Sequence, residues 1–261
     1  MREENKQMRI LSAIGMILVV AGHLGYSVFD VGGLFPYYSF HVFIFLFVSG
    51  YFYREEAEQH LLQYIGKKCK TLLLPYFIWN LVYGILAAIL HRTGFSIGGN
   101  LTLWNLFIEP FVSGHQFLYQ FPAWFVPALF LLEVLNVLGR KVLSFLHLKK
   151  EWLIFAVSLL LGIATVALAK GGHVWGYYKF PGRLLFMMPG FQLGRIYKEK
   201  LENRVNKISD GRYFFVVVGV QLLTTICCRG LAFSAVWVTG FANAAFIPYL
   251  TVVTGIAFWL R

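Results

Sequence analysis

The chain has 261 residues, of which 58% are hydrophobic and only 13% charged, with a formal net charge of +11. A soluble globular domain carries about 25% charged residues, so composition excludes that class. The positive excess would suit nucleic acid, but its distribution along the chain excludes that partner.

Eight apolar stretches lie at 10–29, 36–53, 71–90, 122–139, 152–169, 180–197, 213–229 and 236–260. Each approaches the length needed to cross ~30 Å of hydrocarbon. They predict an all-α, polytopic membrane helix bundle of about eight spans, forming one integral membrane domain over 1–261. No repeat, low-complexity tract or soluble domain interrupts them. With the N-terminus placed in the cytoplasm, only Arg92, Lys170, Lys179, Arg183 and Arg229 of the 23 lysines and arginines fall outside. This is the positive-inside bias of a multi-pass cell-membrane protein, and Tyr37, Tyr38, Trp79, Trp152 and Trp259 sit where an interfacial belt would place them. The basicity therefore sets topology, with membrane lipids as the surrounding partner.

The first stretch follows only nine residues and lacks a small-residue cleavage site, so it reads as a retained helix. It contains "ILVVAGHLGYS", with His23 inside an apolar run. From Arg9, at the expected inner interface, His23 lies ~21 Å into the core at 1.5 Å per residue. The second stretch runs back through "SFHVFIFLFVSGYF" and puts His41 one to two turns below the same outer surface. Their short connection holds Asp30, Gly32, Gly33 and Pro36, so the two helices should be antiparallel neighbours. Intramembrane ionisable groups are costly and face a bundle interior or cavity. A single such histidine is as often a helix-to-helix hydrogen bond; two at matched depth favour a site. Ser49-Gly50 reads as close small-residue packing.

Next comes "KKCK" at 67–70, either a topogenic, lipid-facing cluster or a cradle for cytosolic phosphates. Segment 91–121 mixes apolar and turn-forming residues and predicts a re-entrant or interfacial piece. Glu133, midway down the fourth stretch, needs a partner. Arg183 begins the sixth at the outer level, where snorkelling is the alternative to a role in binding. Cys69, Cys227 and Cys228 have neither metal spacing nor a disulfide pattern, and no metal is expected. His91, His115 and His173 fall in outer loops or at span ends. The chain stops at "AFWLR" directly after an apolar run, which suggests a truncated or unusually short product.

Several of these segments together resemble the acyltransferase family 3 membrane proteins, nearest the fucose 4-O-acetylase-like sugar O-acetyltransferases. "ILVVAGH" resembles that family's first helix closing on its key histidine, and "FHVFIFLFVSGYF" is similar to its second-helix signature. "KKCKTLLLPYFIW" looks like its basic inner loop, and "PAWFVPALFLLEVL" and "MMPGFQLGRIYKE" match later segments in the expected order. Two features depart. Ser12 stands where the family usually has Arg or Lys, and Arg9, three residues earlier, lies ~40° round the helix from the face of His23. The family usually has about ten spans. Both bear on catalysis more than on fold.

The resemblance implies a membrane O-acyltransferase. It would move an acyl group, usually acetyl, from cytosolic acetyl-CoA or another acyl-CoA to a hydroxyl of a cell-surface or lipid-linked glycan. The catalytic residues it points to are His23 and His41. Arg9, Lys67, Lys68 and Lys70 would meet the donor's phosphates, and Trp124 and Arg183 the sugar acceptor. Neutral imidazole can take a proton from an attacking hydroxyl near pH 7. Without an evident Ser-His-Asp grouping, direct transfer is favoured, Ser49 being the nearby hydroxyl to exclude. Two other classes fit the same cavity: a small-solute, amino-acid transporter, for which paired broken spans are missing, and a non-catalytic membrane partner.

Overall fold

The structure is a computed structural model that describes residues 5–25, 30–95, 100–112, 117, 122–148, 150–173, 179–228 and 246–261. Among these residues all regular structure is helical and no strand occurs. Helix α1 spans Lys6–His23, α2 His41–Tyr51, α3 the continuous stretch Leu61–Arg92 and α4 Phe125–Phe145. Then follow α5 at Glu151–Lys170, α6 at Lys179–Ile196, α7 at Asp210–Cys227 and α8 at Ile247–Leu260. Each apolar stretch read from the sequence holds one of these helices. Among the described residues α3, α5, α7 and the segment Pro122–Phe145 containing α4 are long and apolar enough to cross a membrane.

Local chemistry sets where the helices begin. The Asn5 side-chain oxygen accepts from the Met8 N–H at 3.2 Å, an N-cap that satisfies one otherwise orphan donor of α1. Helix α2 is only 11 residues long, shorter than the predicted 36–53. Pro36 lacks an N–H and precedes a 3-10 turn at Tyr37–Ser39, whose Ser39 hydroxyl donates to the Pro36 carbonyl at 2.7 Å. Helix α8 starts at Ile247 with Pro248 in its first turn, where a missing donor costs nothing. Its predicted beginning, 236–245, lies outside the described residues. In α3 a wide π turn at Cys69–Leu73 comes just before Pro75. Proline removes an intrahelical donor and crowds the turn before it, and a widened turn relieves that crowding.

The chain divides into two compact units. The first comprises Met1–Tyr53, Lys150–Val174 and Leu185–Arg261, the second Arg54–Lys149 and Trp175–Leu184. In the first, α1 buries Met8, Leu11, Gly15 and Leu18, one stripe at spacings of three and four residues. Gly15 on that stripe meets Ile44 of α2. Helix α2 is buried nearly all round, as expected of a helix apolar on every face. Helices α7 and α8 are joined by a hydrogen bond from the Thr254 hydroxyl to Gln221 Oε1 at 2.6 Å, and the Gln221 amide donates to the Leu34 carbonyl at 2.7 Å.

Closest of all is the approach between α2 and α6. A side chain at Gly50 would overlap the Phe191 carbonyl, and one at Gly194 the Phe47 carbonyl. Gly190, one turn before Gly194, lies against Phe43. This reciprocal small-residue packing is what Ser49-Gly50 predicted. Because main chain opposes main chain, no rotamer change can make room. Gly194→Ala should therefore cost about 1–3 kcal/mol of stability, as overpacking does, read as a lower unfolding temperature in detergent. Gly219→Ala on α7, where an added methyl meets no described atom within 4 Å, should not lower it and should raise it slightly, alanine being the better helix former by up to about 1 kcal/mol.

In the second unit, α3 and α4 hold the unit together with the short helical piece at Trp104–Ile108 and Glu109–Val112. That piece falls inside the predicted re-entrant segment and packs on one face of α3. The Asn80 amide donates to the Leu106 carbonyl at 2.7 Å. Gly84, one turn on, receives Leu101 and Phe117, and Ala87 joins Leu106 and Phe117 in a small buried cluster. Residues 80, 84 and 87 share a helix face.

Candidate functional site

His23 is the last residue of α1 and is exposed, the chain turning away through Leu24 and a left-handed Gly25 at φ 78°. His41 is the first residue of α2 and only 6% exposed. Its Nδ1 lies 2.8 Å from the main-chain carbonyl oxygen of Tyr37. A carbonyl can only accept, so Nδ1 carries the proton and Nε2 keeps the free lone pair. Between the two, the Tyr37 ring touches both Gly22, the residue before His23, and His41. The structure thus brings the two predicted histidines to one end of the first unit.

Tyr37 occupies the space between their helices. Its ring stands edge-on to His41, with centroids 5.6 Å apart and planes at 62°. The same ring sits over Gly22, where any Cβ would run into it, and its hydroxyl is 3.5 Å from the Gly22 carbonyl. The Tyr37 N–H donates to Asp30 Oδ1 at 3.1 Å, which ties down the 3-10 turn before α2. Sequence reasoning assigned Tyr37 to the interfacial belt alone. Its place four residues before His41, on the same turn, was the available signal.

The opposite end of α1 carries Arg9, which is exposed. Ser12, standing where the resemblance expects a cation, donates its hydroxyl to the Met8 carbonyl at 2.9 Å, so it serves its own helix. Near that end the Tyr51 hydroxyl accepts from the Asn5 amide at 2.6 Å and donates to Glu202 Oε1 at 2.8 Å. This link joins three segments far apart in sequence and was not foreseen.

In the second unit Lys67 and Lys70 are exposed on α3. Lys68 is not a free cation. Its Nζ lies 2.8 Å from Glu133 Oε1 and 2.6 Å from Oε2, which gives Glu133 the partner it required. Trp124 and Arg183 come together: the guanidinium carbon stands 4.3 Å from the indole centroid, a cation–π stack. Arg183 is 1% exposed, so it is buried rather than extended to an interface. His91 and His173 are exposed, and His115 lies outside the described residues.

A family model described as an acyltransferase domain, that of acyltransferase family 3, matches residues 5–261. No curated protein and no solved structure matches the chain significantly. The match spans nearly the whole sequence, and the chain belongs to acyltransferase family 3.

Proposed function

We propose that this family member is a multi-pass membrane O-acyltransferase that moves an acetyl or other acyl group from cytosolic acyl-CoA to a hydroxyl of a cell-surface or lipid-linked glycan. The observation that carries the reading is the pairing of an exposed His23 with a buried, tautomer-fixed His41 at one end of the first unit, in a chain of this family. In the proposed step His23 accepts the proton of the acceptor hydroxyl. The hydroxyl oxygen bonds to the thioester carbonyl carbon, the carbon–sulfur bond breaks, and the leaving thiolate recovers the proton from the imidazolium. His41, with Nδ1–H held by Tyr37, offers Nε2 to orient the acceptor or receive the proton in relay. Trp124 and Arg183 are the proposed contacts for the sugar.

For the donor, cationic groups suit the phosphates. With Lys68 engaged by Glu133, Lys67 and Lys70 are the lysines of that cluster left to meet them, with Arg9 as the further proposed contact. The Lys67→Ala/Lys70→Ala double variant should raise the KM for acyl-CoA several-fold and flatten its dependence on salt, since the charges that salt screens are gone. Loss of binding felt equally in ground and transition states leaves kcat nearly intact. An unchanged KM returns the two lysines to topology alone.

Mass spectrometry of cell-surface glycans from cells with and without the chain tests the function itself. An acetyl increment that appears only with the chain supports the reading. Identical glycans, together with uptake of a small solute by vesicles holding the purified protein, would replace it with the transporter reading.

A further inference from the structure

We propose that Tyr37 is the positioning residue of the histidine pair: its main-chain carbonyl sets the tautomer of His41, and its ring, seated on Gly22, sets where His23 stands. The inference rests on the acyl-transfer reading above and deepens it, because that reading uses only the Tyr37 carbonyl and leaves its ring without a part. Three contacts carry it. The His41 Nδ1–H donates to the Tyr37 carbonyl at 2.8 Å, leaving Nε2 as the nitrogen able to meet a reacting proton. The ring is held edge-on to His41 at 5.6 Å. On its other side the ring rests on Gly22, the residue directly before His23.

Glycine is needed at position 22 because the ring takes the volume a Cβ would fill. Ring atoms Cε2, Cζ and Oη are the nearest neighbours of that position. Tyr37 is held in turn from below, its N–H bound to Asp30 Oδ1 at 3.1 Å. One residue therefore touches the end of α1 and the start of α2, and both contacts adjoin a histidine. Active groups must be held to within about half an ångström of their working geometry by such supporting contacts, and misplacement by 1 Å can cost on the order of 10²-fold in rate.

The test is a cycle on the full-length chain, purified in detergent, with acyl transfer read as kcat and donor KM separately. Tyr37→Ala, which keeps the main-chain carbonyl and removes only the ring, should lower kcat about tenfold or more with donor KM unchanged, and Tyr37→Phe, which keeps the ring as well, should restore most of that rate. Gly22→Ala pushes on the far end of a side chain that can swing aside, so the protein should still fold while kcat falls. In the Tyr37→Ala background Gly22→Ala should have no further effect, because the ring it displaces is gone; coupling of this kind marks two residues acting through one contact. Thermal unfolding of each variant separates loss of fold from loss of geometry.

Two results would overturn the inference. One is a Tyr37→Ala enzyme with the parent's kcat. The other is a Gly22→Ala loss that simply adds to that of Tyr37→Ala. Failure of the underlying reading looks different: His23→Gln would then transfer at the parent's rate, whatever the Tyr37 variants do.

Discussion

His23→Gln should reduce acyl transfer by a factor of roughly 10²–10⁴, the usual contribution of a general acid–base group, without reducing protein level. The amide keeps hydrogen-bonding capacity but cannot take up a proton near pH 7. His23 is the exposed last residue of α1, so its replacement opens no cavity in the buried core. A merely structural histidine would behave otherwise, its loss costing ~0.6 kcal/mol for a typical intramembrane hydrogen bond, with activity falling only in step with protein level. His41 needs a different variant because it is buried and bound. His41→Asn places an amide N–H near the position of Nδ1, preserving the bond to the Tyr37 carbonyl while deleting Nε2. If both substitutions leave the transfer rate of purified protein unchanged, the pair is not the catalytic centre.

Much of this architecture is legible in the apolar pattern. Stretches of about twenty apolar residues are helices because a helix satisfies its backbone groups within the one segment, and each of those read from the sequence holds a helix. Their ends were less legible. Helix α2 loses its expected first turn to Pro36 and the 3-10 turn after it, a local effect that a hydropathy average hides. The expectation that His23 and His41 share one level rests on helix rise and a short connection, two quantities set by covalent geometry.

What was not legible depends on contacts across sequence. Nothing in the neighbourhood of Trp124 names Arg183 as the cation on its ring, and nothing near Tyr51 names Asn5 and Glu202 as its partners. Tyr37 is the instructive residue. Its aromatic character and interfacial place were visible, whereas its seat on Gly22 requires knowing how α1 and α2 face each other. The lysine cluster shows the same limit: three lysines within four residues look equivalent on paper, yet only the middle one has Glu133 against it.

That pair makes the largest stability prediction, and its two halves are unequal. The Lys68 side chain remains 27% exposed, but that of Glu133 is only 2% exposed. Lys68→Ala would strand a carboxylate in the interior, and breaking a buried ion pair from one side costs about 3–5 kcal/mol. Glu133→Gln should cost less, because Lys68 can still reach water with its long stem and the amide oxygen can still accept from Nζ. The double variant Lys68→Met/Glu133→Leu removes both charges at similar volume and should recover most of the loss, since an apolar pair often replaces a buried ion pair at no net cost. Unfolding temperatures of the purified variants in one detergent give the ranking directly. Equal losses for Lys68→Ala and Glu133→Gln would mean that the burial of Glu133 is not what makes the pair matter. A double variant as unstable as Lys68→Ala would mean that the site needs charge rather than volume, as a cluster reserved for an anionic ligand would.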